Sequence, residues 1–364
     1  MGSIPGIEPV FVVGAGRSGT TPLQLALNMH PELGVYGETQ AFFEYRRFGP
    51  PANEVNFRSL LDHWRGVLSE CCPYNDLLEN REIQSQLADA PSYAHILNIL
   101  MGAIAAREGK SRWGEKTPAH ILKLPEIRAC FPNAGIIHIV RDPRAVVCST
   151  IKAFNRGQFT DWNVYSAAHH WLRCLEVHAR QESRKESENS DRYMLVRYED
   201  FVTQPEESLN GICSFLGITF VRAMLKAHQV ASDYVRPRRC GGKPDLHVLT
   251  RKPLDSGRTD AWRGILSPAQ SKLIEQVAGR QMAGLGYEPA HEGESHAPLR
   301  VSYFSMRSAV WVSGEVLMNQ IKIPYWAVRR VIDSRNASKG SDDAQNGATP
   351  VVNSTLSVKQ KRMG

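Results

Sequence analysis

The sequence has no long hydrophobic run, no cysteine pair at metal-binding spacing and no basic leader. No stretch reaches the roughly 18 uninterrupted apolar residues of a membrane-spanning helix, so we expect none. The 7 cysteines are odd in number and lack C-x-x-C spacing, which argues against a disulfide framework or a zinc site and leaves the adjacent Cys71 and Cys72 unexplained. Because no positively charged segment precedes the first strand at Pro9, we expect no secretory signal and a cytoplasmic location.

The composition is that of an ordinary soluble globular protein, with 42% hydrophobic and 22% charged residues in a chain of 364. Lysine and arginine outnumber aspartate and glutamate by 44 to 37, which gives a net charge of +7. This excess favours anionic ligands but does not choose among a nucleotide, a nucleic acid, a sulfated glycan and a lipid headgroup. A merely basic surface is a simpler explanation than nucleic-acid binding, so no nucleic-acid partner is predicted.

Residues 9–21, PVFVVGAGRSGTT, are typical of a buried strand that ends at a glycine-rich turn before a helix. Gly14, Gly16 and Gly19 let the backbone turn tightly and approach a ligand closely. Backbone amides and a helix N-terminus then face an anion. The predicted donors of this loop come from Gly16, Arg17, Ser18, Gly19, Thr20 and Thr21.

Two other interpretations fit the same loop. The spacing of Gly14, Gly16 and Gly19 satisfies the dinucleotide motif G-x-G-x-x-G, in which Glu38 would contact a ribose. The spacing also begins the motif G-x-x-x-x-G-K-[ST], but Thr20 stands at the lysine position, so a nucleoside triphosphate would lose its main cation. The loop alone leaves open a nucleotide with a short anionic 5′ group, a dinucleotide, and a turn that binds nothing.

Two charged candidates lie further along the chain. Residues 33–36 form a predicted strand that delivers Glu38 to the ligand-binding edge of a sheet, where it is a candidate general base or a solvated loop acid. Residues 112–120, RWGEKTPAH, are predicted to hold Lys116 at the start of a helix, since Pro118 suits an early helical position. Lys116 could stabilise a transferring oxyanion, or it could be a surface lysine. The helical region 50–110 between them either shapes an acceptor pocket or covers the sheet.

A second anion site is predicted after the strand at residues 135–140. Asp142 suits the N-cap and Pro143 the first position of the next helix. Arg141 then stands at the carboxyl end of the strand and Ser149 lies two turns along the helix, which suits a phosphate. Residues 236–263 carry eight lysines and arginines against three aspartates, which favours a loop that folds over a bound anion.

The C-terminal part of the chain has a different character. Residues 301–332 are rich in apolar side chains and predict a packed helix, or else an interfacial helix in peripheral contact with a membrane. Residues 333–364 are rich in serine, asparagine, lysine and glycine and predict a disordered tail. The predicted organisation is a domain at 8–289, a helical extension at 290–332 and a tail at 333–364.

Four ordered segments resemble sulfotransferases that use 3′-phosphoadenosine 5′-phosphosulfate (PAPS), of the branch that includes protein-tyrosine and many bacterial sulfotransferases. RSGTT at 17–21 matches the 5′-phosphosulfate loop, and IVRDPRAVVCS at 139–149 matches the 3′-phosphate motif with Arg141 and Ser149 as donors. The segment 197–218, which contains Tyr198, resembles a recurrent stretch of the family. SGRTDAWRGIL at 256–266 resembles the loop that the family folds over the nucleotide, which implies contacts from Ser256, Gly257 and Arg258.

The resemblance implies an α/β, P-loop-like three-layer fold with a central parallel sheet, a helical insertion and a C-terminal helical extension. It implies PAPS as donor, no metal, and an acceptor hydroxyl on a glycan, a tyrosine, a lipid or a small natural product. Glu38 resembles the base, with His120 as the next candidate, and Lys116 resembles a lysine near the transferred group. Arg17 stands where several branches have lysine; arginine cannot donate a proton, so it should act only as an electrostatic clamp.

Three alternatives compete with this prediction. A Rossmann-type NAD(P)-dependent oxidoreductase or a nucleotide kinase would use the glycine loop, but the dinucleotide fold leaves Arg141 and Ser149 without a role. A non-enzymatic polyanion-binding protein would use the basic residues without a defined nucleotide site. The sequence predicts no oligomeric state.

Overall fold

A computed structural model of the protein describes residues 6–44, 61–68, 74–154, 163–185, 192–231 and 248–290. These residues form a five-stranded sheet of β1 (Val10–Val13), β2 (Leu33–Gly37), β3 (Arg112–Lys116), β4 (Gly135–Val140) and β5 (Tyr193–Arg197). All neighbouring strands are parallel, in the order β2-β3-β1-β4-β5. The predicted α/β fold with a central parallel sheet is therefore confirmed.

Helices connect the strands and cover the sheet. They are α1 (Thr20–Asn28), α2 (Ala41–Glu44), α3 (61–68), α4 (Arg81–Ala88), α5 (Tyr93–Arg107), α6 (Leu124–Cys130), α7 (Pro143–Phe154), α8 (Val164–Lys185), α9 (Tyr198–Thr203), α10 (Pro205–Leu216) and α11 (Pro268–Gly284). Short 3-10 helices include Pro118–Lys123, Ser256–Arg258 and Ala261–Gly264. Within the described ranges, no helix combines the length and the apolarity needed to cross a membrane.

The sheet is the middle of three layers, because alternate residues of each strand face opposite sides. Val10 and Val12 of β1 pack with apolar residues of α1, α9 and α10 on one side. Phe11 and Val13 pack on the other side with apolar residues of the insertion helices and of α8 and α11. All four side chains are fully buried, as expected for a parallel sheet covered on both faces. The insertion, including α5, thus covers the sheet.

Strand β3 is the element that the sequence analysis does not predict. Residues 112–116 form the strand between β1 and β2, and a 3-10 helix begins only at Pro118. Its sequence RWGEK lacks the apolar run expected of a buried parallel strand, although Trp113, Glu115 and Lys116 are all buried. Lys116 is therefore the last residue of an inner strand, which brings it to the edge of the sheet where ligands bind.

The strand order fixes where a ligand site can form. Along the strand order, β2 lies on one side of β1, and β5 lies in the opposite direction, beyond β4. The connections from β1 to β2 and from β4 to β5 therefore diverge between the adjacent strands β1 and β4. Such a switch point opens a crevice at the carboxyl ends of the strands. The order differs from the 3-2-1-4-5-6 order of the dinucleotide fold, which argues against that alternative.

Several predictions fall on residues outside the described ranges. Cys71, Cys72, the segment 301–332 and the tail 333–364 are among them. The boundaries of the extension and the tail stay predictions. Four cysteines within the described part, Cys130, Cys148, Cys174 and Cys213, are buried thiols.

Candidate active site

The loop between β1 and α1 has a backbone that only glycine accommodates at two positions. Gly14 has φ 149°, and a methyl group there would lie 2.3 Å from the Ile139 carbonyl oxygen. Gly19 has φ 96°, and a methyl group there would lie 2.3 Å from the Tyr198 ring. Gly16 has open space around it. The glycines therefore seat the loop against β4 and Tyr198, while Gly16 leaves room on its outer side.

Arg17 joins the two predicted anion motifs. Its backbone has φ 71°, a left-handed conformation that is uncommon outside glycine. Its Nε donates a hydrogen bond of 3.2 Å to Ser149 Oγ on α7. The structure thus brings the loop after β1 into direct contact with the helix after β4.

Arg141 lies at the carboxyl end of β4, as predicted. Its guanidinium stacks 4.2 Å above the Tyr198 ring, and Nη2 donates a hydrogen bond of 3.1 Å to the Arg258 carbonyl oxygen. Its Nε is buried and has no hydrogen-bond partner among the described residues. The backbone is held by Trp171, whose indole N–H donates to the Arg141 carbonyl at 2.9 Å. Arg141 is therefore oriented by its neighbours and keeps an unsatisfied donor.

Lys116 and Glu38 form an ion pair beside the loop. Lys116 Nζ lies 2.6 Å from Glu38 Oε1, and their side chains are only 4% and 18% exposed. The ammonium also lies 3.4 Å from Thr21 Oγ1 on α1. In the sheet, Lys116 is in register with Val12 on one side and Gly37 on the other. The two predicted charged groups thus meet at the end of the central strands.

Burial and two neighbouring charges shift the pKa of Arg17. Burial lowers the pKa of Arg17 below its ordinary value. The nearby carboxylate of Glu38 acts to raise this pKa, whereas the guanidinium of Arg141 acts to lower it further. Such a buried, crowded cation is one that an anion in the crevice would stabilise.

The remaining predicted residues differ in their exposure. Thr20 begins α1 and is buried, and the N-cap Gly19 provides no side-chain cap for the first turn. Ser18 is fully buried, and its hydroxyl has no partner among the described residues. Ser18, His138 and Trp171 line a narrow gap in the packing. The Ser18 side chain therefore lies inside the protein rather than at its surface.

The loop predicted at residues 236–263 is described from residue 248 onward, and residues 256–258 of it contact the site. Asp255 caps this 3-10 helix by accepting a hydrogen bond of 3.0 Å from Gly257 N. Arg258 contacts Arg141 through its carbonyl oxygen, while its own guanidinium pairs with Asp255 at 3.2 Å and is 46% exposed. The loop thus contacts Arg141 through its backbone, while the Arg258 side chain is paired with Asp255.

His120, the next candidate base, is not placed for that role. It is fully buried, with Nδ1 2.8 Å from Glu115 Oε2. Its Nε2 accepts a hydrogen bond of 3.3 Å from Phe42 N. Both ring nitrogens are therefore engaged inside the protein. Glu115 itself was missed by the sequence prediction, because it belongs to the unrecognised strand β3.

The part of the chain that the structure describes holds no group of three or more His, Cys, Asp or Glu that could bind a metal ion. Asp142, which could pass for a metal-binding residue at a strand end, is engaged otherwise. It accepts a hydrogen bond of 2.8 Å from Arg144 N as an N-cap, and its carboxylate pairs with the Arg144 guanidinium at 2.7 Å.

The chain is similar in sequence and in fold to known proteins. The model of the "Sulfotransferase family" matches residues 9–222, which include the glycine loop, Glu38, Lys116 and Arg141. Protein-tyrosine sulfotransferase 2 of Gallus gallus is 25% identical over 306 residues, which cover 77% of this chain and 69% of that protein. Carbohydrate sulfotransferase 3 of Mus musculus is 25% identical over 191 residues, which cover 49% of this chain and 39% of that protein.

The fold is also similar to a solved sulfotransferase domain from the curacin biosynthetic pathway. The TM-score is 0.51 at 19% sequence identity, and the match covers 79% of this chain and 99% of that domain. The family match spans more than half of the chain and contains both anion motifs. The chain therefore belongs to the sulfotransferase family.

Proposed function

We propose that the protein transfers a sulfuryl group from PAPS to the hydroxyl group of an acceptor. The observation that carries this proposal is the Lys116–Glu38 ion pair at 2.6 Å, at the end of the sheet beside the glycine loop. A carboxylate and an ammonium in that position offer a proton acceptor and a positive charge to the same reacting group.

The donor's two anionic ends match two sets of residues. The loop around Gly16 and Arg17, with the first turn of α1, offers backbone amides and a guanidinium to the 5′-phosphosulfate. Arg141 and Ser149 offer donors to the 3′-phosphate, and the buried unpartnered Nε of Arg141 would gain a partner there. Tyr198 supports both sets, since it packs against Gly19 and beneath Arg141.

Each charged residue of the crevice has a separate role in the transfer. The acceptor oxygen forms a bond to sulfur, and the bond between sulfur and the 5′-phosphate oxygen breaks. Glu38 takes the proton that the acceptor hydroxyl loses. Lys116 and Arg17 stabilise the negative charge on the transferring group and on the departing 5′-phosphate, which leaves as part of 3′,5′-adenosine bisphosphate. Arg17 remains a cation throughout and acts as a clamp.

Protein cations and backbone amides can supply this charge stabilisation without a metal ion. Arg17, Lys116 and Arg141 all lie at the carboxyl end of the sheet, on or beside adjacent strands. We therefore expect the reaction to proceed without a divalent cation.

The acceptor supplies a hydroxyl group, and its class is not fixed by the residues described. Two relatives are a protein-tyrosine and a carbohydrate sulfotransferase by name, so a tyrosine and a sugar hydroxyl are the first acceptors to test. A lipid and a small natural product are the other two classes of acceptor in the panel. A cytoplasmic location and membrane contact through residues 301–332 stay predictions from the sequence.

The test is transfer of ³⁵S from labelled PAPS to a panel of tyrosine peptides, oligosaccharides, lipids and phenols. We expect labelled product with at least one acceptor from the wild type and at least tenfold less from Lys116→Met, which keeps the length of the side chain but removes its charge. Full transfer by Lys116→Met would remove Lys116 from the mechanism. A protein that bound NAD or ATP but ignored PAPS would refute the proposal.

A further inference from the structure

A buried carboxylate, Glu115, directly precedes Lys116 in strand β3. Glu115 is 0% exposed and accepts hydrogen bonds of 3.0 Å from both the backbone N and the Oγ1 of Thr39. It also accepts one from Thr117 Oγ1 and one of 2.8 Å from His120 Nδ1. Two oxygens thus take part in four hydrogen bonds, which is a fully satisfied buried network.

This network holds the segment that follows Glu38. The backbone amides of four successive residues donate to its members: Thr39 N to Glu115, Gln40 N to Thr117 Oγ1, Ala41 N to Thr39 Oγ1 and Phe42 N to His120 Nε2. Three of the four acceptors belong to residues 115–120. The start of α2 is therefore fixed to the end of β3 by side chains rather than by strand pairing.

The hydrogen bonds also define the state of His120. Because Nε2 accepts from Phe42 N, Nδ1 is the ring nitrogen that donates, and it donates to Glu115. The ring is further held by Phe42, edge-on at 5.3 Å, and by Phe43, stacked at 5.7 Å. These contacts hold the His120 ring in one orientation, in which it connects the two segments.

The hydrogen bonds of this network do not join Glu115 to Glu38 or Lys116. They join it to Thr39 and Thr117, the chain neighbours of those two residues. Glu38 directly precedes Thr39, and Lys116 lies between Glu115 and Thr117. Side chains alternate along a strand, so the network fills one side of β3 while Lys116 lies on the other. The position of Glu38 is thus set through its chain neighbour Thr39, whereas strand pairing on both sides of β3 places Lys116.

We propose that Glu115 is a positioning residue for sulfuryl transfer, which holds the segment after Glu38 against the end of strand β3 and so places Glu38. This inference rests on the function proposed above. An apolar cluster would fill the same space without the cost of burying a charge, so stability alone does not call for a carboxylate here. Burial acts to raise the pKa of Glu115, but His120, Thr117 and Thr39 more than offset it and leave the pKa below its ordinary value.

The first test is Glu115→Gln, which keeps the size of the side chain but presents an amide NH₂ where His120 now donates. We expect kcat to fall by about 10- to 100-fold, the usual cost of a small misplacement of reacting groups. The affinity for 3′,5′-adenosine bisphosphate should change by less than about threefold, because the residues that meet the nucleotide are elsewhere.

A matched control is Glu275→Gln on α11. Glu275 is a partly buried carboxylate, with a side chain 11% exposed, which pairs with Arg144 at 2.7 Å and accepts from Ala290 N at 3.0 Å. This variant should lower the midpoint of thermal unfolding with kcat unchanged. If Glu115→Gln behaved in the same way, Glu115 would be a structural residue only and the proposal would be wrong.

A double-mutant cycle separates positioning from general damage. If Glu115 acts by placing Glu38, adding Glu115→Gln to Glu38→Gln should lower kcat by less than about threefold, since the base is already absent. Costs that multiply would contradict the proposal. Should Glu115→Gln fail to fold, Thr117→Val removes one hydrogen bond to Glu115 and the acceptor of Gln40 N, and it should show the same dependence on Glu38.

The outcomes also separate this proposal from the function on which it rests. Absence of sulfuryl transfer by the wild type, or full turnover by Glu38→Gln, would refute the proposed function and its base. A large loss in Glu38→Gln together with normal kcat in folded Glu115→Gln and Thr117→Val would refute only the positioning role.

Discussion

Replacing Glu38 by glutamine tests the chemistry of the site most sharply. The carboxylate lies 2.6 Å from the Lys116 ammonium, in a pair whose side chains are 4% and 18% exposed. Glutamine keeps the shape and an oxygen that can accept from Lys116. It removes the negative charge and the capacity to take a proton from an acceptor hydroxyl.

Two magnitudes follow from this geometry. Loss of a general base lowers turnover by roughly 10²- to 10⁴-fold, which equals about 2.7 to 5.4 kcal/mol in the activation free energy. The buried ammonium of Lys116 also loses its counter-charge, and we expect the free energy of unfolding to fall by about 1 to 3 kcal/mol. Because the nucleotide is itself an anion beside Lys116, its binding should be retained and should restore part of this stability.

The assay measures three quantities on the same preparation: kcat with a competent acceptor, the Kd of 3′,5′-adenosine bisphosphate by calorimetry, and the free energy of unfolding with and without the nucleotide. The control is Glu126→Gln, which removes the carboxylate from the Lys123–Glu126 pair at 3.2 Å, outside the site. It should leave kcat and Kd unchanged.

The opposite pattern would refute the reasoning. If Glu38→Gln kept near-normal turnover but weakened nucleotide binding, Glu38 would be a nucleotide ligand, as the dinucleotide interpretation requires. Equal losses in the two variants would show that the change in turnover has a cause other than the base.

Three further predictions concern the loop, the thiols and metal ions. Gly19→Ala should lower the midpoint of thermal unfolding, because its methyl group would lie 2.3 Å from the Tyr198 ring at φ 96°. Gly16→Ala, with open space, should unfold at the wild-type temperature, and equal midpoints for the two variants in differential scanning calorimetry would contradict this. Burial raises the pKa of Cys130 and Cys213 to about 11, so at pH 8 peptide-level mass spectrometry should find both unmodified by iodoacetamide until the protein unfolds, and rapid labelling of the native protein would be contrary evidence. Activity should survive EDTA, since protein cations meet the transferring charge; loss with EDTA and rescue by magnesium would overturn this expectation.

Strands with apolar runs could be predicted from the sequence, and strand β3 could not. The runs VFVV and GIIHIV identify β1 and β4 because side chains buried on both faces of a parallel sheet are apolar. In RWGEK, two of the buried positions are charged, and their partners, Glu38 and the network of Thr39, Thr117 and His120, come from distant or later residues. No local pattern indicates such partners, so the sequence predicts the helix start at Pro118 but not the strand before it.

The candidate site was predictable where a motif combines residue type with position at a strand end. Arg17, Glu38 and Arg141 all follow strands, and the parallel sheet brings them to one edge, as expected. The contact between Arg17 and Ser149 depends on the strand order, which placed β4 beside β1 and was not fixed by any motif. The role of Glu115 required the structure, because its four hydrogen bonds come from residues on both sides of the insertion.

The most direct test of the central claim is calorimetric titration of the wild type and Arg141→Ala with 3′,5′-adenosine bisphosphate and with AMP, which lacks the 3′-phosphate. We expect one bisphosphate per chain, bound about 10- to 150-fold more tightly than AMP, because a hydrogen bond to a charged group contributes about 1.5 to 3 kcal/mol. In Arg141→Ala the two nucleotides should bind with nearly equal affinity. No binding of the bisphosphate, beside clear binding of NAD or ATP, would contradict the account.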